Sequence, residues 1–245
     1  MKIDINCDLG EGIGNDADIM PLISSCNIAC GGHAGNAKSM HTTLVLANRY
    51  GVKIGAHPSF PDVENFGRKS LNITAKELTK SIYKQIVNLK FEADKLKLKI
   101  SHIKPHGALY NLATVNKDTA KAIVEAIKMA QLKVKLYAPY KSVLASLAIE
   151  EKIEVCYEAF MDRQYNNDLT LVSRQHKNAV ISDPDMVLNQ LSNIVFNQKL
   201  KCVTGEMVDI QAETFCIHGD NKMAVSILQH LHKRLEENNV SLTKQ

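Results

Sequence analysis

The chain has 245 residues, 45% of them hydrophobic and 23% charged, with a formal net charge of +4; these are values of a folded globular protein and exclude a disordered one. The lysines behind that charge are spread along helical stretches such as 75–97, and aromatic residues make up 5% with no tryptophan, so no nucleic-acid footprint or base-stacking platform is expected. No apolar run is long enough to span a bilayer, the chain enters a strand pattern with no leader-like segment before it, and its six cysteines form no CxxC pair, so no membrane association and a reduced, cytoplasmic setting are expected.

In the first segment, IDINCDLGEG (3–12), Ile3, Ile5 and Cys7 alternate with Asp4, Asn6 and Asp8, which is the period-two pattern of a strand. Further strands are expected near 26–30, 52–57, 100–104, 134–138, 153–158 and 214–218, with helices over 36–50, 74–96, 118–131, 141–151, 183–198 and 220–237. TAKE (74–77) has capping-box spacing, and SDPD (182–185) places Asp183 as an N-cap with Pro184 at the first helical position. Cys7, Cys26, Cys30, Cys156 and Cys216 fall in or at the ends of strands, as small core residues do. Strand–helix alternation of this kind predicts a parallel sheet that right-handed crossovers close into a barrel. No linker or repeat divides the chain, so 1–245 reads as one domain. Two segments break the alternation: residues 159–181 read as a long loop of the lid type, and 199–212 as a β-hairpin turning at Thr204–Gly205.

Several strands end in polar residues. GAHP ends in His57, HIKPHG puts His102, Lys104 and His106 on one face, VCYE ends at Glu158, and FCIHGD ends at His218. In β/α barrels the C-terminal strand ends build the active site. Asp8, His57, Lys104, His106, Glu158 and His218 are therefore expected at one mouth, with the polar face of the first strand lining the interior. His102, deepest on its strand, reads as structural, and Pro105 rules out helical metal-motif spacing with His106. His41, His176, His230 and His232 read as surface residues. GEGIGN lacks the third glycine of a dinucleotide fingerprint, and no phosphate-binding P-loop occurs. Among the arginines, Arg68, Arg163 and Arg174 fall in loops beside this mouth, which points to a small anionic substrate.

DINCDLGEG, NIACGGHAGN, GAHPSFPD, NFGR, HIKPHGALYN, EAFMDRQY, LVSR and CIHGD, in that order, resemble the LamB/YcsF family, described as the A subunits of 5-oxoprolinase, from residue 2 to about 235. The resemblance implies an α/β fold: a single-domain, seven-stranded β/α barrel like that of polysaccharide deacetylases. It also implies ATP-dependent opening of 5-oxoproline (pyroglutamate) to glutamate, with ATP as co-substrate and subunits B and C as partners. Two departures concern the first loop and not the catalytic set: the segment after GEG is short, and Gly32 stands where an aromatic residue is usual.

The catalytic candidates are Asp8, His57, Lys104, His106, Glu158 and His218. Within the matched motifs, Asn6, Glu11, Asn27, His33 and Arg68 are candidates for substrate binding, as are Asp162, Arg163, Tyr165, Arg174 and Asp220. A five-membered lactam is a stable amide, and phosphorylating its oxygen would make it open to water. Lys104 and Arg163 suit the stabilisation of a phosphoryl group; Asp8, His57 and His106 are alternative general bases. The sequence admits a divalent metal but assigns it no ligand set. Two other readings stay open: an ATP-independent, metal-dependent amidase or deacetylase, and a non-catalytic substrate-binding subunit.

Overall fold

A computed structural model describes residues 1–244. Seven parallel strands form a closed barrel: β1 (Lys2–Leu9), β2 (Ser25–Ala29), β3 (Lys53–His57), β4 (Ile100–Ile103), β5 (Lys135–Pro139), β6 (Val155–Phe160) and β9 (Thr214–Ile217). Each pairs with its successor, and β9 closes the ring onto β1. The excursion between β6 and β9 carries the antiparallel hairpin of β7 (Lys199–Lys201) and β8 (Met207–Asp209), as the sequence predicts for 199–212. A short β10 (Ser241–Leu242) adds to the start of β1.

The helices wrap the outside. They are α1 (Asp16–Ile19), α2 (Ala37–Tyr50), α3 (Ala75–Lys95), α4 (Gly107–Ala113), α5 (Lys117–Ala130), α6 (Val143–Glu150), α7 (Pro184–Asn197) and α8 (Ala224–Glu237). The capping box at Thr74–Glu77 forms, and Asp183 caps α7 with Pro184 at its first turn. The sequence reading missed α1 and α4. One is a single turn and the other starts straight after the strand-end segment, so neither shows its own apolar period. Among the described residues, no helix is long and apolar enough to cross a membrane.

Both faces of β1 are buried, which explains its alternation. Ile3, Ile5, Cys7 and Leu9 join the apolar layer shared with the helices. Asp4, Asn6 and Asp8 enter a polar barrel interior. There Asp4 Oδ1 accepts from Ser25 Oγ (2.7 Å) and Thr214 Oγ1 (2.7 Å). One level up, Asn6 Nδ2 donates to Glu158 Oε1 (2.9 Å) and Thr214 Oγ1 (2.8 Å). Asn27 Nδ2 donates to both Asn6 Oδ1 and Asp8 Oδ1 (each 2.8 Å). Parallel barrels usually fill this space with branched apolar side chains; here hydrogen bonds fill it, and they leave the mouth lined with charge.

His102 belongs to this interior. Its Nε2 lies 2.8 Å from Asn27 Oδ1, and its ring stacks on Tyr137 at 4.0 Å, which agrees with a structural role. The ring lies against Gly55, where an added Cβ would come within 2.1 Å of His102 Nε2. Gly55→Ala should therefore displace the ring and cost about 1–3 kcal/mol of stability. Urea denaturation measures this, and a change within about 0.5 kcal/mol would show that the interior repacks freely.

Candidate active site at the barrel mouth

Asp8, His57, Lys104, His106, Glu158 and His218 all line one cavity of about 610 Å³. Lys104 follows β4 directly and is 1% exposed. Its Nζ bridges Asp8 Oδ1 (2.9 Å) and Glu158 Oε1 (3.0 Å), and also donates to Cys216 Sγ (2.9 Å). Burial disfavours the ammonium, but Asp8, Cys216 and Glu158 outweigh it and hold the pKa well above the ordinary lysine value. Burial likewise opposes the Asp8 carboxylate, and His57 and Lys104 hold it well below the usual range.

The histidines converge with Glu11, which lies in the turn after β1. That turn is anchored by the Gly10 amide donating to Asp16 Oδ2 (2.9 Å). Glu11 Oε1 is 3.0 Å from His33 Nε2, 3.4 Å from His106 Nδ1 and 3.9 Å from His57 Nε2. His57 Nε2 and His106 Nδ1 face each other at 2.9 Å. His33 and His106 stack in parallel at 3.6 Å.

The tautomers follow from the partners. His57 Nδ1 sits 2.7 Å from the Lys104 carbonyl and His106 Nε2 3.0 Å from the Phe66 carbonyl. A carbonyl accepts only, so each of those nitrogens carries the proton. The other nitrogen of His106 then presents a lone pair to His57 Nε2, which also lies 3.3 Å from Asp8 Oδ2. Such a contact repels unless a cation or a proton lies between. Carbonyl-anchored imidazoles with free lone pairs are the usual preparation for a metal. Burial pushes His33 down to about 4 and, with His33 and His57 nearby, holds His106 well below its ordinary value, so both stay neutral as ligands must. Burial and Asp8 push Glu11 up to about 7. Glu11, His33, His57 and His106 place their donor atoms within 4.8 Å of one another. The residues fit a first-row divalent metal with nitrogen and oxygen ligands. Glu11 and His33, expected as substrate contacts, stand with His57 and His106 in this cluster.

Across the cavity, Asp162 fixes His218. Its Oδ1 accepts from His218 Nδ1 (2.8 Å) and its Oδ2 from the His218 amide (3.1 Å). This leaves His218 Nε2 as the free ring nitrogen at the cavity. Burial works against the Asp162 carboxylate, but His218 and these hydrogen bonds hold it below its ordinary pKa.

Arg163, expected on the substrate side, lines the cavity but has backbone partners in the long loop. Its Nε donates to the Ala179 carbonyl (3.1 Å) and an Nη to that of Val172 (2.7 Å). The guanidinium braces the long loop from within, although it also borders the cavity. Tyr165 is a brace too, its hydroxyl accepting from the Phe160 amide (2.7 Å). Gln190 on α7 donates to the carbonyls of Phe160, Met161 and Arg163, so the base of this loop is fastened. Asn6 and Asn27 belong to the interior network and not to the cavity lining. Arg68 and Arg174 reach the mouth from two different loops and both pair with Asp220, Arg174 Nη1 at 3.0 Å. At Gly32 an added Cβ would meet Gln85 Oε1 at 2.2 Å and Ser59 Oγ at 2.3 Å. Gln85 and Ser59 are doubly hydrogen-bonded there, so in this chain they fill the room that a side chain at 32 would need.

The LamB/YcsF family model matches residues 3–245. A Staphylococcus carnosus protein, named as the A subunit of 5-oxoprolinase, is 39% identical over 249 residues, covering 100% of this chain and 99% of the relative. The chain belongs to the LamB/YcsF family. A lactam utilization protein from Thermus thermophilus is 32% identical and superposes with a TM-score of 0.92 over 100% of both chains. A solved T48 deacetylase shares the barrel alone, with a TM-score of 0.50 at 13% identity, covering 99% of this chain and 87% of that one.

For this LamB/YcsF chain the cluster makes a direct expectation. Added zinc at about a hundred times its Kd should stabilise the metal-stripped protein by about 2.7 kcal/mol. The effect should grow from pH 6 to pH 8, because protons compete for Glu11 below about 7. His57→Ala or His106→Ala should remove most of it. Thermal melts with and without zinc measure this, and an unchanged zinc response in both variants would place any metal elsewhere.

Proposed function

We propose that this chain is the hydrolytic component of a 5-oxoprolinase, a metal-dependent hydrolase that opens the cyclic amide of 5-oxoproline to glutamate. One observation carries the reading: the cluster of Glu11, His33, His57 and His106 at the mouth, with two imidazole nitrogens facing each other at 2.9 Å. Full-length relatives named as the A subunit of 5-oxoprolinase supply the substrate class. Of the readings the sequence left open, metal-dependent amide hydrolysis is the one the cluster favours for this chain's own chemistry.

Glu11, His33, His57 and His106 would hold the metal, with Asp8 Oδ2 beside them. A divalent cation there supplies Lewis acidity toward a carbonyl oxygen and an attacking water. The remaining roles fall to the chain itself. Lys104 keeps a fixed positive charge beside the reacting carbonyl, where a preorganised donor can contribute roughly 3–4 kcal/mol. His218, held by Asp162 through Nδ1, presents Nε2 to take a proton from the attacking water and pass it to the departing ring nitrogen. Arg68 and Arg174 offer guanidinium forks to the substrate's carboxylate, which would share them with Asp220.

The ATP requirement implied by the resemblance belongs to the assembly in this reading. The sequence has no phosphate-binding glycine loop, so nucleotide and phosphoryl activation are assigned to partner subunits B and C. The cleavage of 5-oxoproline by the chain alone, and with B and C, each with and without ATP, tests this division. The chain alone should turn over little or nothing, and the assembly should require ATP. Chelation of the chain before assembly should remove at least 90% of that activity, about tenfold, and divalent metal should restore it. Full ATP-dependent turnover by the isolated chain, or an assembly indifferent to chelation, would overturn the proposal.

A further inference from the structure

The turn after β9 carries Asp220, and three elements hold that turn in place. Asn15 Nδ2 donates to the Gly219 carbonyl (2.8 Å). Asn221 is buried, and its Nδ2 donates to Asp162 Oδ2 (3.3 Å) and the Ile181 carbonyl (3.2 Å). Gly219 lies so close to β1 that an added Cβ would meet the Asp8 carbonyl at 2.6 Å. Asp220 is thus a carboxylate on a fixed post. Two arginines from separate loops meet it there: Arg68 from the loop between β3 and α3, and Arg174 from the long loop after β6. Asp220 Oδ2 accepts from an Nη of Arg68 and from Arg174 Nη1 (3.0 Å), and its Oδ1 accepts from Arg174 Nη2 (3.4 Å). Both arginines line the cavity, whereas Asp220 does not border it. Their side chains are 40% and 31% exposed against 17% for Asp220, so a ligand in the cavity meets the guanidiniums before their counter-ion. A guanidinium has five N–H donors, and Asp220 occupies only part of each set.

We propose that Asp220 is the positioning residue of a carboxylate clasp: it draws Arg68 and Arg174 together so that their remaining N–H groups hold the carboxylate of a cyclic-amide substrate. The inference rests on the cyclic-amide reading above and adds what makes the site select a lactam that carries an acid group. Two guanidiniums this near repel each other, and one carboxylate between them offsets that cost. Burial opposes the Asp220 carboxylate, but His218, Arg174 and Arg68 hold its pKa below the ordinary value, so it is ionised. Two guanidiniums and one carboxylate leave the trio net positive, the complement of a substrate carboxylate. The planar forks also give direction, because each matches the two oxygens of a carboxylate. Arg68 stacks over Phe66 at 4.8 Å, and the same ring sits edge-on to His33 (5.1 Å) and His106 (5.4 Å). One aromatic ring therefore separates the clasp from the histidine cluster, which puts acid-binding and amide-cleaving groups within reach of one small substrate. Asp220 acts through the arginines in this scheme and does not touch the substrate.

Calorimetric titration of the purified full-length chain tests this with two probes: 5-oxoproline, and 2-pyrrolidone, the same lactam without its carboxylate. The wild type should bind 5-oxoproline roughly tenfold or more tightly than 2-pyrrolidone. Asp220→Asn keeps the shape and removes the charge. It should weaken 5-oxoproline about tenfold and leave 2-pyrrolidone within about twofold of the wild type. Asp220→Glu should restore most of the loss. A role confined to folding would move both probes together. Part-exposed ion pairs contribute little to stability, so the melting temperatures of both variants should stay close to that of the wild type. Tighter binding of 5-oxoproline by Asp220→Asn would show that the residue competes with the substrate and would overturn the clasp, as would an unchanged ratio of the two affinities. Equal wild-type affinity for the two lactams would likewise remove the clasp while leaving the cyclic-amide reading intact. Binding of neither lactam would overturn that reading and the clasp with it.

Discussion

A lysine ammonium inside a closed barrel is the constraint from which the rest of this site follows. Removing a charge from water costs several kcal/mol unless a partner meets it with good geometry. Lys104 reaches that condition only because Asp8 and Glu158 approach from two other strands at 2.9 and 3.0 Å. Each carboxylate must in turn be held, and Asn6 and Asn27 hold them with amide hydrogen bonds. Those amides need partners of their own, and Thr214 and His102 provide them. The polar interior is one connected consequence of that charge. A network of this kind is valuable only when nearly complete.

The same logic orients the metal-type cluster. The Lys104 carbonyl accepts from His57 Nδ1, so the residue that places the charge also sets the tautomer of the adjacent imidazole. His106 is oriented from another loop by the Phe66 carbonyl. Two independent backbone acceptors thereby aim two imidazole nitrogens at one point, beside an ionised Asp8 and with Glu11 completing the set. The convergence of this cluster is built into backbone geometry and does not depend on mobile surface side chains.

Much of this was legible in the sequence. The alternation of Asp4, Asn6 and Asp8 with Ile3, Ile5 and Cys7 is a strand buried on both faces, and strand ends at His57, Glu158 and His218 could converge only in a closed sheet. What escaped was set by geometry across the barrel. Glu11 and His33 lie in glycine-rich turns whose direction no local pattern encodes, so their meeting with His57 and His106 could not be read from spacing. Arg163 shows the reverse case: a scarce arginine in a long loop reads as a ligand-binding fork, yet its Nε and one Nη are occupied by backbone carbonyls sixteen and nine residues away. Asp162 likewise serves His218, a partner far along the chain, and not the arginine beside it.

The central claim, that the mouth is built to hold a divalent cation, is tested most directly by X-ray absorption at the metal edge of protein loaded with one equivalent of zinc. The account predicts a first shell of imidazole nitrogen and carboxylate oxygen at about 2.0–2.2 Å with no sulfur, and a loss of imidazole scattering in a His33→Ala variant. A sulfur shell at about 2.3 Å, or a spectrum unchanged by that substitution, would contradict it.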